Sequence, residues 1–555
     1  MLPAAGAPRP RLAAGATAAL ALLARGAAAT ESYSPETRIL SAHLYGNLAT
    51  YGYYFVDLLV GTPSGQRASV IVDTGSRLMG FACTGCQHCG EHIDRAFNVS
   101  HSATAAWVRC GDETCTAACS GERCSYAETY SEGSSISGVL FEDFARLGDS
   151  EQANPAVRVQ MGCNLLENSL FYSQAASGIM GLAPGAGSSP TVLTQLFSDT
   201  EHVRTSTFSL CFATWGGRLT IGGYNSSYHR GGDDGGGIQW VRLRPERYHF
   251  VFPVGLTIGD EGDGRGLAAA WGQEHLGVSI VDSGTTYSYF PQPLYAAILE
   301  QIGRYCGARG GCSAGKSSAQ TEEGSECWQL SAPELEPVDF PTLRIFFDQD
   351  TRVDWHPLEY LQKRDSSGIW CATFLPDDVF QTVLGTSFML HRDVIFDLDG
   401  GRLGFAKADC PEHRRPPTRR EGEVDGHAVA KPLPQRLYSV DSALAAQLGY
   451  RLGAEGARHQ WRPRATSAVA LATRRVRWPV AATALLAVAG LLSAAYVRLW
   501  TRTSQAPEGR RELLRGDHGP LHEEPEPPRG GAEAEEYDAA VAQGGGHLGM
   551  LVQDE

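Results

Sequence analysis

The amino-acid sequence predicts an all-β fold of two lobes related by a pseudo-two-fold axis, with a transmembrane helix near the carboxyl end. Three observations predict it. The stretch Ile71-Val72-Asp73-Thr74-Gly75-Ser76 returns 209 residues later as Ile280-Val281-Asp282-Ser283-Gly284-Thr285. Short alternating or apolar runs, punctuated by glycine and serine, fill the body of the chain and read as strands and tight turns. Pro479 to Val497 carries no charge and is about as long as a bilayer-crossing helix needs to be.

The duplication justifies the two lobes. An Asp-Thr-Gly triplet alone is weak, because short motifs recur by chance. A true repeat should echo elsewhere at nearly the same offset. Gly178-Ile179-Met180-Gly181-Leu182 and Thr382-Val383-Leu384-Gly385-Thr386 are both apolar-apolar-glycine elements. They follow their aspartates by 108 and 103 residues, counted to Gly181 and Gly385. Residues 51–213 are therefore expected to form the first lobe and 214–411 the second, which starts at Gly217-Arg218-Leu219-Thr220-Ile221. Within the second lobe, Pro293 to Arg304 has the apolar spacing of a short helix. Asp260 to Gly277 and Gly307 to Glu326, rich in Gly, Ser and Glu, read as surface insertions.

The ends of the chain have other compositions. Arg9 and Arg11, an Ala/Leu run from Leu12 to Leu23, and Ala27-Ala28-Ala29 make residues 1–29 a secretory signal with a small-residue cleavage site. A mitochondrial presequence is the competing reading, and the cysteines argue against it. All 14 lie between Cys83 and Cys410, an even number that reads as disulfides in an oxidising lumen. Asn98-Val99-Ser100 and Asn225-Ser226-Ser227 are glycan acceptor sequences, at Asn98 and Asn225. Residues 30–50 read as a short pro/N-terminal segment, so no long inhibitory prosegment is expected. Residues 412–478, rich in Arg, Pro and Ala, read as a basic, partly disordered stalk. The span at 479–497 follows, since a buried helix of a soluble fold would not stand outside any lobe. The signal sets the amino end in the lumen and leaves 498–555 as an acidic cytosolic tail. The net charge of −15 is concentrated in the lobes, an acidic body that attracts basic substrates or merely aids solubility. No nucleic-acid partner is expected.

From Tyr51 to Cys410 the chain resembles the pepsin-like aspartic peptidases. The residues that carry the likeness are Tyr54-Phe55-Val56-Asp57-Leu58-Leu59-Val60-Gly61-Thr62-Pro63, both aspartate loops, and Thr129-Tyr130-Ser131-Glu132-Gly133-Ser134. Val394-Ile395-Phe396-Asp397 and Leu403-Gly404-Phe405-Ala406 complete it. The resemblance implies catalysis by Asp73 and Asp282, with no cofactor and no metal. It implies that Thr74 and Ser283 bond across the two loops, and that Ser76 and Thr285 hold the outer carboxylate oxygens. It also implies a flap carrying Tyr130 and Gly133 that closes over bound peptide. Two carboxylates about 3 Å apart cannot both ionise cheaply and share one proton. The ionised one takes a proton from a water lodged between them, while the protonated one donates to the carbonyl under attack. The proton belongs to the pair rather than to either residue. The plain alternative makes each aspartate a turn or cap residue, and the matched second loop argues against it.

Within the family, Cys83-Thr84-Gly85-Cys86-Gln87-His88-Cys89-Gly90 is similar to the insertion of nepenthesins and, more closely, of plasmepsin V and its membrane-anchored relatives. Leu170-Phe171-Tyr172-Ser173-Gln174-Ala175-Ala176-Ser177-Gly178 fits the same branch. Two departures stand out. The tryptophan that steadies the flap tyrosine in pepsin falls here at Gly80, so the flap needs another support. Ser131 stands where plasmepsin V has an unpaired flap cysteine. In that branch a flap glutamate and a glutamine grip an arginine three residues before the cut, and Glu132 and Gln174 match them. The alternative is an exposed flap glutamate and an incidental glutamine. The Cys-x-x-Cys-x-x-Cys spacing, with His88, His92 and His101 nearby, also invites a zinc reading. Disulfides are preferred: four among Cys83, Cys86, Cys89, Cys110, Cys115, Cys119, Cys124 and Cys163, and two among Cys306, Cys312, Cys327 and Cys371. By the nepenthesin resemblance, Cys211 pairs with Cys410 across the lobes.

The sequence thus predicts a type I membrane-anchored aspartic endopeptidase of the endoplasmic reticulum or Golgi, cutting secretory or membrane cargo at Arg-Xaa-Leu type motifs. Its rivals are a broad-specificity nepenthesin- or β-secretase-like protease of an acidic compartment and a catalytically inactive pepsin-like binding protein.

Overall fold

The computed structural model describes residues 33–414, apart from 117, 186–189, 232–236, 260–268, 309–313, 317–323, 331–335, 338, 348–350, 365–367 and 378–380, together with residues 435–437. The chain divides into two units, Met1–Ala468 and Val469–Glu555, and the second lies wholly outside the described residues. The expected signal and transmembrane span also fall outside them. Among the described residues no helix is long and apolar enough to cross a membrane.

The duplicated loops emerge from duplicated strand arrangements. Strand Gln66–Asp73 ends on the first aspartate, and Gly178–Gly181 runs parallel beside it with Gly181 opposite Asp73. In the second half Val278–Val281 ends one residue before Asp282, and Gln381–Leu384 runs parallel beside it with Val281 opposite Leu384. Val70, Ile71 and Val72 are fully buried, and Ile280 and Val281 nearly so. Such continuous β-branched runs suit strands covered on both faces. Each of these side chains contributes about 1.5–3 kcal/mol by leaving water, which anchors the loops to the core. The glycine of each echo is a packing requirement. A Cβ at Gly181 would lie 2.6 Å from the Ser76 carbonyl oxygen, and one at Gly385 would lie 2.2 Å from that of Tyr287.

The halves share a sheet. Thr207–Phe212 pairs antiparallel with Arg392–Asp397, which pairs in turn with Arg402–Lys407. Leu40–Asn47, read from sequence as part of a short segment ahead of the first lobe, is a strand of this sheet. It pairs with both Tyr53–Val60 and Gly217–Ile221 because Leu40, Ala42 and Leu44 alternate into the core. Gly217–Ile221, assigned to the second lobe, is thereby bonded to strands on the first-lobe side of that boundary.

The predicted helix is present as Gln292–Ala308, burying Leu294, Tyr295, Ile298, Ile302 and Tyr305. Each expected surface insertion contains a strand at the end of a small sheet, Ala269–Gly272 against Gly255–Ile258 and Ala314–Lys316 against Cys327–Leu330. The cysteines pair as Cys83–Cys163, Cys86–Cys89, Cys110–Cys119, Cys115–Cys124, Cys211–Cys410 and Cys327–Cys371. Cys306 is disulfide-bonded as well, and Cys312 lies outside the described residues. His88 and His92, near the Cys-x-x-Cys spacing, are engaged by protein groups: His88 meets the Glu167 carbonyl, and His92 meets the Gln174 carbonyl and the Glu167 carboxylate.

Candidate active site

The two strand ends bring Asp73 and Asp282 within hydrogen-bond reach of each other, both fully buried. The loops hold them alike. Gly75 N–H donates to Asp73 Oδ1 at 2.8 Å, and Gly284 N–H donates to Asp282 Oδ1 at 2.9 Å. The Ser76 hydroxyl donates to Asp73 Oδ2, and the Thr285 hydroxyl to Asp282 Oδ2. Behind the carboxylates the loops lock together. Thr74 N–H donates to Ser283 Oγ at 3.0 Å, and Ser283 N–H to Thr74 Oγ1 at 2.9 Å. The same hydroxyls reach across to the strands, Thr74 to the Val281 carbonyl at 3.2 Å and Ser283 to the Val72 carbonyl at 2.8 Å. These reciprocal bonds leave the aspartates little freedom to rotate apart. Gly284 lies against the opposite carboxylate, since a Cβ there would sit 2.3 Å from Asp73 Oδ1.

Burial, and then the neighbouring Asp282, push Asp73 well above the usual carboxylate range. Burial also raises Asp282, against the lowering effect of its bonds from Thr285 and Gly284. Removing the last proton from the pair would leave two buried charges side by side, so the pair holds on to one proton more tightly than an isolated carboxylate does.

The flap is the hairpin of Arg123–Thr129 and Ser135–Leu147. At its tip Tyr130 N–H bonds the Ser134 carbonyl, and Gly133, at φ +96°, turns the chain back to bond the Tyr130 carbonyl. Tyr130 is fully buried, and its hydroxyl has no partner among the described residues. The missing tryptophan has a steric explanation. A Cβ at Gly80 would lie 3.1 Å from Asn164 Oδ1 and 3.2 Å from the Gly162 carbonyl, because Gly80 pairs between two strands. Support comes from Phe171, whose ring centroid is 4.9 Å from that of Tyr130. Phe171 sits on the short helix Ser169–Ser173 and is fully buried. The sequence around Phe171 offers no local reason to assign it that role.

Glu132 and Gln174 each carry one buried acceptor oxygen. Glu132 Oε1 accepts from Ser134, while Glu132 Oε2 and Gln174 Oε1 have no partner among the described residues. Burial pushes the Glu132 carboxyl up to about 8. Away from the cleft, Asn98 and Asn225 each precede a short turn. Asn98 Oδ1 accepts from Ser100 N–H at 3.1 Å, and Asn225 Oδ1 from Ser227 N–H at 3.0 Å.

Sequence reasoning missed three residues altogether. Gln435, Arg436 and Leu437, assigned to the stalk, lie beside Thr286 and under the flap residue Ser131, with Gln435 and Leu437 buried and Arg436 half-buried. Their partners Asp377 and Tyr289 carry no local signal, being one acidic and one aromatic residue on separate strands.

Paired buried carboxylates on two equivalent loops, with a hairpin above them, define an acid–base hydrolase site of the two-aspartate class. The chain belongs to the pepsin-like aspartic protease family. Family models described as "Xylanase inhibitor N-terminal" and "Xylanase inhibitor C-terminal" match residues 54–223 and 266–407. The Toxoplasma gondii protein named Aspartic protease 5 is 34% identical over 395 residues, covering 67% of this chain and 38% of that protein. Plasmepsin V of Plasmodium falciparum is 27% identical over 450 residues, covering 67% of this chain and 73% of the relative. Aspartyl protease AED1 of Arabidopsis thaliana is 26% identical over 381 residues, covering 65% and 72%. The chain thus spans well under half the length of the first of these relatives.

Proposed function

We propose that the protein is a membrane-anchored aspartic endopeptidase of the secretory pathway that hydrolyses peptide bonds in secretory or membrane cargo. The observation that carries its catalytic part is the carboxylate pair, buried, mutually within hydrogen-bond reach and held by matched amides and hydroxyls. A water bound between the carboxylates loses a proton to the ionised one as it attacks the peptide carbonyl. The protonated partner donates to the carbonyl oxygen, and a gem-diol forms. Collapse of the gem-diol returns a proton to the leaving nitrogen, and no acyl-enzyme is made. Tyr130 and the flap hairpin exclude bulk water, so the charge changes occur in a fixed polar setting.

A preference for arginine is supported by the two buried acceptors Glu132 Oε2 and Gln174 Oε1. An unpaired buried acceptor costs about 1–3 kcal/mol, and a guanidinium, with its fork of donors, can satisfy more than one. Glu132→Ala should cut kcat/KM for Arg-Xaa-Leu peptides at least tenfold. Equal kinetics for Arg and Ala peptides with the unmutated enzyme would remove the preference. The lumenal setting is supported by the signal-like residues 1–29, the disulfides and the charge-free 479–497. Protease protection of the lobes in sealed microsomes, together with resistance to alkaline extraction, would test it.

The direct test of function is to incubate the full chain with a random peptide library and sequence the cut sites. Turnover should be robust in the wild type and absent in Asp73→Asn and Asp282→Asn. A binding protein without catalysis is the second reading, favoured by the match to models described for xylanase inhibitors. Retention of both aspartates and all four hydroxyl partners argues against it, and failure of the library assay would establish it. A pH–rate optimum at about 6–7, rather than about 3, separates the secretory-pathway enzyme from an acidic-compartment relative.

A further inference from the structure

Gln435-Arg436-Leu437 lies in the cleft in the manner of an extended peptide added to a strand edge. Thr286 N–H donates to the Gln435 carbonyl at 2.8 Å, and Gln435 N–H donates to Thr286 Oγ1 at 2.7 Å. Arg436 forms an antiparallel bridge with Thr285, and Leu437 N–H donates to the Gly284 carbonyl at 3.3 Å. From the opposite side the flap closes on the segment, with the Ser131 hydroxyl donating to the Arg436 carbonyl at 2.5 Å.

The side chains are engaged as well. Leu437 is fully buried in one apolar cluster with Ile71, Tyr130, Phe171 and Ile179. The Arg436 guanidinium pairs with the buried Asp377 carboxylate and lies 4.1 Å from the centre of the Tyr289 ring. Two side chains and four bonds to the backbone thus follow one direction along the edge. Gln435 pairs four residues beyond Asp282, and Leu437 pairs two beyond it. Gly284, which anchors Leu437, bonds Asp282 through its own amide and leaves no room for a Cβ against Asp73. Of the three residues, Leu437 is thus the one paired nearest in sequence to Asp282, through Gly284.

We infer that the bond on the carboxyl side of Leu437 is a self-processing site, with Asp377 and Tyr289 forming the subsite for a basic residue directly before the leucine. The inference rests on the endopeptidase reading. Water adds to the Leu437 carbonyl carbon, the C–N bond to Tyr438 breaks, and the dyad passes a proton to the Tyr438 nitrogen. The products are a chain ending in the Leu437 carboxylate and one beginning with the Tyr438 amine. The reaction consumes one water and nothing else.

The tether permits it in cis. Twenty residues separate Arg414 from Gln435, and fully extended they reach about 66 Å. A segment held this way presents itself at an effective concentration on the order of millimolar, so it competes with substrates arriving from solution. The cut falls between the lobes and the candidate span at 479–497. Hydrolysis would thus empty the cleft and separate the catalytic lobes from that span.

The test uses the full-length chain purified in detergent. Fragments are followed by intact mass and amino-terminal sequencing, and activity on an added Arg-Xaa-Leu peptide is measured in the same tubes. The expected results are a new amino terminus at Tyr438, a half-time unchanged on tenfold dilution, and peptide activity rising at least tenfold as the cut proceeds. Asp282→Asn should keep the chain whole. Leu437→Asp should also stay whole yet show the high peptide activity from the start, which proves that it folds, and Arg436→Ala should slow the cut about tenfold. An active enzyme whose chain stays intact, a half-time that lengthens with dilution, or a cut that persists in Asp282→Asn would each overturn the inference. Absence of peptide activity in every preparation would instead defeat the endopeptidase reading, and the self-processing site with it.

Discussion

The two aspartate loops are chemically alike and differ in what surrounds them. Each aspartate receives one amide and one hydroxyl bond, and each loop sends a hydroxyl residue across to the other. The first loop has the flap on its side of the cleft, with Tyr130 braced by Phe171. The second offers a peptide-pairing edge, Gly284 to Thr286, used here by residues 435–437. Acid–base chemistry needs two matched carboxylates, whereas a peptide chain has a direction. The site is thus symmetric where protons move and asymmetric where substrate lies.

The strongest way to break this comparison is at the carboxylates. Asp73→Asn and Asp282→Asn should each lower kcat/KM by at least roughly 10²–10⁴-fold, the usual size of a lost acid–base group. A tenfold or greater difference between them would mean that the two loops are not chemically equivalent. A smaller and more specific effect is expected at Glu132. Burial holds its carboxyl at about 8, so in the free enzyme it is protonated over much of the neutral range. Binding of a guanidinium favours the ionised form. The preference for Arg over Ala peptides should therefore rise as pH increases toward 8, and Glu132→Gln should flatten that rise.

The same shift carries a stability consequence with a definite sign. A carboxyl raised from 4.5 to about 8 on folding favours the folded state fully below its unfolded value, and that support is lost as pH climbs through 8. Glu132→Gln should therefore gain stability relative to wild type between pH 4.5 and pH 8 in urea titrations, with little difference at the acid end. A modest effect is expected behind the dyad. Thr74→Ala and Ser283→Ala each strip reciprocal bonds and leave buried partners unpaired, costing about 1–3 kcal/mol by denaturant melts. Similar losses from the two would support the symmetry, and a loss confined to one would sharpen where it fails.

Much of the catalytic centre was legible from local pattern. A β-branched pair before each aspartate marks a buried strand end, and the glycines at 75 and 284 mark the turn that offers an amide back to the carboxylate. The helix at 292–308 showed itself by its apolar spacing, and cysteine parity pointed to disulfides. Other features had no local mark. Leu40–Asn47 looked like a leader because nothing in eight residues shows which strands they will join. Phe171 was one aromatic residue among 20 phenylalanines. Gln435-Arg436-Leu437 sat in a charged, proline-rich stretch whose average composition hid three residues with specific partners.

By itself the sequence determined that this protein has two equivalent strand-end aspartates, because burial, turn geometry and hydroxyl neighbours are encoded within six consecutive residues. Only the tertiary structure decided that aspartates 209 positions apart lie within hydrogen-bond reach, that Phe171 packs on Tyr130 where the tryptophan is absent, and that the chain's own Leu437 bonds the loop of the second aspartate. The reason is physical. Local preferences act over a turn or a strand, while contacts between distant segments depend on how all the buried surfaces fit at once.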